Sequence, residues 1–158
     1  MSILKKREEI AVDNLETKAL KNTNILIVDD NPDDCLIIKE IIEENMHSNH
    51  PQVTVAVNFD EAIEACYGKD YDLCLLDYKL GKRDGIRVLK DFREHGFIMP
   101  VIFLTGQGNE EVAVEAMQSG ASNYFSKRNI DALKFIKAIR HAIHESKMLN
   151  NVQEWLFD

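Results

Sequence analysis

The chain contains no run of about 18 consecutive apolar residues, the length a membrane-spanning helix needs. Its opening, MSILKKREEI, mixes both signs of charge and does not read as a secretory signal. A cytoplasmic location is the expectation, with no membrane partner. Cysteine is scarce and odd in number: Cys35, Cys66 and Cys74 are the three, each in an apolar neighbourhood. A disulfide framework is therefore disfavoured, and all three read as reduced core residues. Basic residues are outnumbered, 19 Lys and Arg against 27 Asp and Glu, for a net charge of −8. Non-specific nucleic-acid binding rests on Lys and Arg neutralising phosphates, so no nucleic-acid partner is expected. Metal binding stays open. No internal repeat, low-complexity segment or DNA-binding motif interrupts the 158 residues.

What is present is ordinary for a folded domain: 45% apolar and 29% charged residues, at a length of one domain with modest extensions. Three unbroken apolar runs stand out: ILIV at 25–28, LCLL at 73–76 and VIFL at 101–104. Such runs suit parallel strands covered by helices on both faces. VTVAV at 53–57 is more alternating and belongs nearer an edge; NYFS at 123–126 is a short fifth strand.

Helical patterns fill the gaps. Leu36, Ile37, Ile41 and Ile42 follow Pro32, which suits a first helical turn. Asn58 with Glu61 forms a capping-box-like start. Asp84-Gly85 leads into Ile86, Val88, Leu89 and Phe92, and Asn109 opens a helix that Gly120 closes. From Ile130, the residues Leu133, Ile136, Ile139, Ala142 and Ile143 mark a long amphipathic helix. Five alternations of strand and helix predict an α/β fold. Right-handed crossovers favour a flavodoxin-like, doubly wound five-stranded parallel sheet in the order 2-1-3-4-5, with helices on both faces.

The expected domain covers 22–147. Residues 1–21 form an extension, helical or frayed. At 148–158 a helical tail or linker is expected. Ala142, Leu149, Val152 and Leu156 stand near heptad spacing there, suiting a coupling helix, a dimer contact or the cap of the last helix.

Function in an open α/β sheet is expected at the carboxyl ends of the strands. There the first strand ends in Asp29-Asp30, the third in Asp77 and the fourth in Thr105, while Lys127 follows the fifth. Neighbouring strands lie roughly 5 Å apart. Three carboxylates on one edge repel one another unless a cation or raised pKa values relieve them. A hard divalent ion is the economical answer, and Mg²⁺, which keeps several waters, suits so few protein ligands. Each residue alone is better read as a cap, a turn residue or a solvated side chain; their joint placement reverses that. A bulky side chain at Gly106 would crowd the approach to Asp77.

Four phrases carry a family resemblance: ILIVDDNPDD, LCLLDYKL followed by DGI, VIFLTGQG and GASNYFSK. Over about residues 24–145 the chain resembles the receiver domain of two-component response regulators. The resemblance implies that Asp77 accepts a phosphoryl group from a phosphohistidine. It implies Mg²⁺ bound by Asp30 and Asp77, with Asp29 acting through a metal-bound water and the Lys79 backbone carbonyl completing the set. Thr105 and Lys127 would bind phosphoryl oxygens, and Tyr124 matches the family's switch aromatic. Lys79 and Gln107 hold positions that tune the phosphoryl lifetime. The implied partners are a histidine kinase or histidine phosphotransfer protein, a downstream protein or fused output module, and a second copy as homodimer. The protein would be a signalling acceptor, not an enzyme, and stand-alone or the N-terminal part of a larger protein.

Two departures from the family pattern bear on the site. Arg128 follows Lys127 where proline is usual, so that peptide is either trans or strained. The loop after Asp77 lacks the common proline, and Gly81 and Gly85 would make it mobile. A degenerate receiver acting as an unphosphorylated interaction module is the alternative. An Asp-nucleophile phosphatase is remote, because Asp77-Tyr78-Lys79 lacks a second acid. His141 and His144, three apart on the last helix, read as solvated.

Overall fold

The computed structural model describes residues 22–106 and 110–157. Five strands form one sheet: β1 (Asn24–Val28), β2 (Gln52–Ala56), β3 (Leu73–Asp77), β4 (Val101–Thr105) and β5 (Asn123–Ser126). All pair in parallel, in the order β2-β1-β3-β4-β5, as the sequence pattern predicts. Among the described residues, α1 (Pro32–Asn45), α2 (Phe59–Gly68), α3 (Gly85–Glu94) and α4 (Glu110–Gln118) connect successive strands, and α5 (Ala132–Phe157) follows β5.

Side chains along a strand point alternately to the two faces, so each apolar run supplies two cores. Leu26, Val28, Cys74, Leu76, Val101 and Phe103 pack with Ala62, Phe92 and Ala116 of α2, α3 and α4. Ile25, Ile27, Leu73, Leu75, Ile102 and Leu104 meet Ile38 and Ile42 of α1 and Phe135 and Ile139 of α5 on the other face. Every residue of β3 and β4 is buried, which is why those strands read as unbroken apolar runs. β2, at the edge, is largely open to solvent and begins one residue earlier than its β-branched pattern suggests. The three cysteines are buried and unpaired, and burial pushes the Cys35 and Cys66 thiols up to about 11.

Caps define the helix starts. Asn31 accepts from the Asp33 and Asp34 amides, with Pro32 in the first turn. Asn58 accepts from the Glu61 amide, and Glu61 reaches back to the Val57 amide at 2.9 Å, one residue short of the expected reciprocal bond. Asp131 accepts from the Leu133 and Lys134 amides, so α5 begins at Ala132 and Ile130 stays ahead of it. Asn109, expected to open α4, lies outside the described residues, as does the 1–21 extension. α5 crosses residue 147 without a break, and beyond it Met148, Leu149, Val152, Trp155 and Leu156 are exposed. Among the described residues no helix is long and apolar enough to cross a membrane.

Candidate functional site

The register of the sheet sets the site. Val28 pairs with Leu76, so Asp29 and Asp77 emerge level at the carboxyl edge of β1 and β3. Asp77 pairs with Leu104, and Thr105 pairs with Ser126, which carries Thr105 and Lys127 one step further each. The Lys127 amide donates to the Thr105 carbonyl at 2.8 Å, continuing the ladder past β5. From there its four-carbon stem brings the ammonium back over β3 and β1.

Asp29, Asp30 and Asp77 each offer a carboxylate oxygen within 4.8 Å of the others. Asp29 and Asp77 are buried, whereas Asp30 is exposed. Asp29 Oδ1 accepts from the Asn31 amide at 3.0 Å, and Asp77 Oδ1 from the Lys79 amide at 3.2 Å. Lys127 Nζ lies 2.6 Å from Asp29 Oδ2, 2.9 Å from Asp34 Oδ2 and 3.2 Å from Asp77 Oδ2. Burial, then the Asp29 charge, pushes the Asp77 carboxyl up to about 6, while Lys127 pulls the other way. Burial alone would lower the Lys127 ammonium, but its bonds to Asp29 and Asp34 outweigh that and hold its pKa up. All donors on this edge are hard oxygens, mutually repelling and only partly relieved by one ammonium. That chemistry fits a hard divalent cation.

Thr105 is buried, and so is the Tyr124 hydroxyl. Burial raises the Tyr124 phenol, and the Thr105 hydroxyl beside it acts in the opposite direction. The structure thus brings Asp29, Asp30, Asp77, Thr105, Lys127 and Tyr124 to one edge, with Lys79 on its rim. Gln107 lies outside the described residues. His141 is remote on the α5 surface, 3.3 Å from Glu145.

The segments around this edge resolve what the sequence left open. No described peptide bond is cis, so Lys127–Arg128 takes the trans alternative. The loop after Asp77 is a tight antiparallel hairpin in which Lys79 pairs with Asp84 and Leu80 with Arg83. Leu80 is buried beneath it, and the Arg83 guanidinium stacks 4.3 Å from the centre of the Phe59 ring. Gly81 takes a left-handed φ of +60° at the turn. At Gly106 a Cβ would meet nothing within 4 Å, so no packing contact within the fold demands glycine there.

Gly85 is where glycine is required. Its amide donates to the Tyr78 carbonyl at 2.7 Å. A Cβ there would stand 2.9 Å from the Asp77 carbonyl oxygen, Phe103 Cε1 and Tyr78 Cα. We expect Gly85→Ala to cost about 1–3 kcal/mol, the usual range for overpacking. A lowered urea midpoint would show it; an unchanged midpoint would mean the backbone yields freely.

Asp34 was not foreseen as part of this edge. The available signal is its place one turn into a helix that begins at the acidic edge, where its side chain can reach a lysine from β5.

The family model of the response regulator receiver domain matches residues 25–140. Among curated proteins, RcaC of Microchaete diplosiphon is 36% identical over 118 residues, 73% of this chain and 17% of RcaC. The alkaline phosphatase synthesis transcriptional regulatory protein PhoP of Bacillus subtilis is 31% identical over 141 residues, 84% of this chain and 56% of PhoP. The chain thus spans only part of the length of these relatives. A solved receiver domain from Clostridium thermocellum superposes with a TM-score of 0.70 at 28% identity, covering 80% of this chain and 98% of that one. With the match to the family model covering most of its length and the acidic edge in register, this chain belongs to the response regulator receiver domains of two-component systems.

Proposed function

We propose that Asp77 accepts a phosphoryl group from a phosphohistidine on a histidine kinase or histidine phosphotransfer protein, in a Mg²⁺-dependent reaction. The observation that supports this best is the convergence of three carboxylates within 4.8 Å, with Lys127 Nζ 3.2 Å from Asp77 Oδ2. Asp30, Asp77 and the Lys79 carbonyl would hold the ion, with Asp29 behind them. When bound, Mg²⁺ supplies positive charge against the equatorial oxygens of the transferring group. A carboxylate oxygen of Asp77 attacks phosphorus, and the P–N bond breaks with its electron pair leaving on the imidazole. Being raised only to about 6, Asp77 is mostly ionised at neutral pH and ready as nucleophile. Lys127 offers fixed positive charge, and the Thr105 hydroxyl a donor. The protein is then a signalling acceptor that slowly dephosphorylates itself, with Lys79 and Gln107 tuning that rate from the rim.

Phosphorylation adds about one negative charge and new acceptor oxygens at the edge. Charge-assisted hydrogen bonds are worth about 1.5–3 kcal/mol each. Two of them, from Thr105 and Lys127, approach the roughly 5.5 kcal/mol that turns a 1:99 population into 99:1. The face bearing α4, β5 and α5 is the one that changes. Tyr124 is its reporter, and a downstream protein, a fused output module or a second copy its reader. A cytoplasmic setting suits that exchange.

Phosphoramidate carries the P–N bond of phosphohistidine in a small molecule. With Mg²⁺ it should add one phosphoryl group to the wild type, by intact mass, and none to Asp77→Asn. No gain in the wild type, or equal gain in both, contradicts the proposal.

A further inference from the structure

We propose that Asp34 is a positioning residue for this phosphoryl transfer, holding the Lys127 ammonium so that its remaining proton points at Asp77. The inference rests on the reading of Asp77 as acceptor. An ammonium has three N–H donors on a flexible stem. In this site they meet Asp29 at 2.6 Å, Asp34 at 2.9 Å and Asp77 at 3.2 Å. The two shorter contacts come from β1's end and α1, which are fixed with respect to each other: the Asn31 side chain, between them, caps the Asp34 amide at 3.1 Å. The longest contact is the one directed at the acceptor carboxylate, and it is the one that can pass to a phosphoryl oxygen without disturbing the other two.

The Lys127 backbone is held by its amide on the Thr105 carbonyl, but that bond leaves the direction of the four-carbon stem open. Ser126 and Arg128 on either side are exposed, and Asn129 follows at a left-handed φ of 55°. Asp34 restrains the side chain from 93 residues away in sequence. Its electrostatic effect alone runs against this role, because a further carboxylate near the edge repels an incoming phosphoryl donor. Positioning and repulsion therefore predict opposite signs. If repulsion governs, Asp34→Asn speeds transfer; if positioning governs, it slows transfer.

The experiment measures the rate of phosphorylation by phosphoramidate at saturating Mg²⁺ for the wild type, Asp34→Asn, Asp34→Glu, Lys127→Ala and the Asp34→Asn, Lys127→Ala double variant. Beryllofluoride affinity is measured beside it, as a readout independent of the transfer step. We expect Asp34→Asn to slow phosphorylation and weaken beryllofluoride binding by about tenfold each, the scale of weakening one charge-assisted hydrogen bond. Asp34→Glu should recover most of both, and Asp34→Asn should add nothing once Lys127 is alanine. A rate for Asp34→Asn at or above wild type overturns the proposal. So does a tenfold loss that persists without Lys127, which would mean a general structural effect. In either case normal phosphorylation of the wild type leaves Asp77 as acceptor standing. A wild type that takes no phosphoryl group and binds no beryllofluoride overturns both.

Discussion

Without divalent cation, Asp77→Asn should unfold at a higher temperature than the wild type at neutral pH. Asp77 is only 8% exposed, and its carboxyl rises from an ordinary 3.8 to about 6, first through burial and then through the Asp29 charge. Such a carboxyl binds its proton more tightly in the folded state than in the unfolded one. Between about pH 4 and pH 6 the folded chain therefore holds more protons, and stability falls as pH rises through that window. Below it both states are protonated and there is no penalty. Above it the full penalty remains, at most about 3 kcal/mol for a displacement of this size. Asparagine keeps the shape and removes the charge, so its gain should be present at pH 7.5 and absent near pH 4. At about 2–4 °C per kcal/mol for a chain of this class, several degrees are expected. Added Mg²⁺ should narrow the gap by stabilising the wild type. Thermal unfolding in a chelator at three pH values measures this, and an equal or lower melting temperature for Asp77→Asn at pH 7.5 would contradict the electrostatic account of the edge.

Lys127→Ala should move stability the other way, and further. The ammonium sits among Asp29, Asp34 and Asp77 with its side chain 12% exposed. Removing it leaves Asp29 and Asp77 buried without their cation, and breaking such a pair costs about 3–5 kcal/mol. Its pKa is held up in the folded state, so this contribution persists across the neutral range and would be lost only in strong alkali. Mg²⁺ should restore a large part of the loss, because it replaces positive charge at the same oxygens. Denaturant unfolding with and without Mg²⁺ tests both points. A loss below about 1 kcal/mol, the value of an exposed ion pair, would show that the edge is better hydrated than its geometry implies.

These two variants probe opposite sides of one balance, which is also where the sequence was most and least informative. The runs at 25–28, 73–76 and 101–104 were legible because both faces of β1, β3 and β4 are buried. Residues at the ends of such strands inherit their register, so Asp29, Asp77, Thr105 and Lys127 could be assembled on one edge from chain order alone. Edge strand β2 was displaced by a residue because partial exposure weakens its pattern. Asp34 was missed because its partner arrives from β5 through a long side chain, and no local spacing encodes that meeting. The crowding at Gly85 was missed for a related reason. The need for glycine depends on which backbone and ring approach it, and in this fold the carbonyl of Asp77 and the Phe103 ring crowd Gly85.

The central claim is that Asp77, among the acidic residues of this edge, takes the phosphoryl group. An aspartyl phosphate is an acyl phosphate, and borohydride reduces it to a primary alcohol, turning the aspartate into homoserine. Wild-type protein treated with phosphoramidate and Mg²⁺, then reduced and digested, should show homoserine at position 77 and at no other. Homoserine at 29, 30 or 34 instead, or none anywhere in protein that has gained phosphoryl mass, would contradict the assignment.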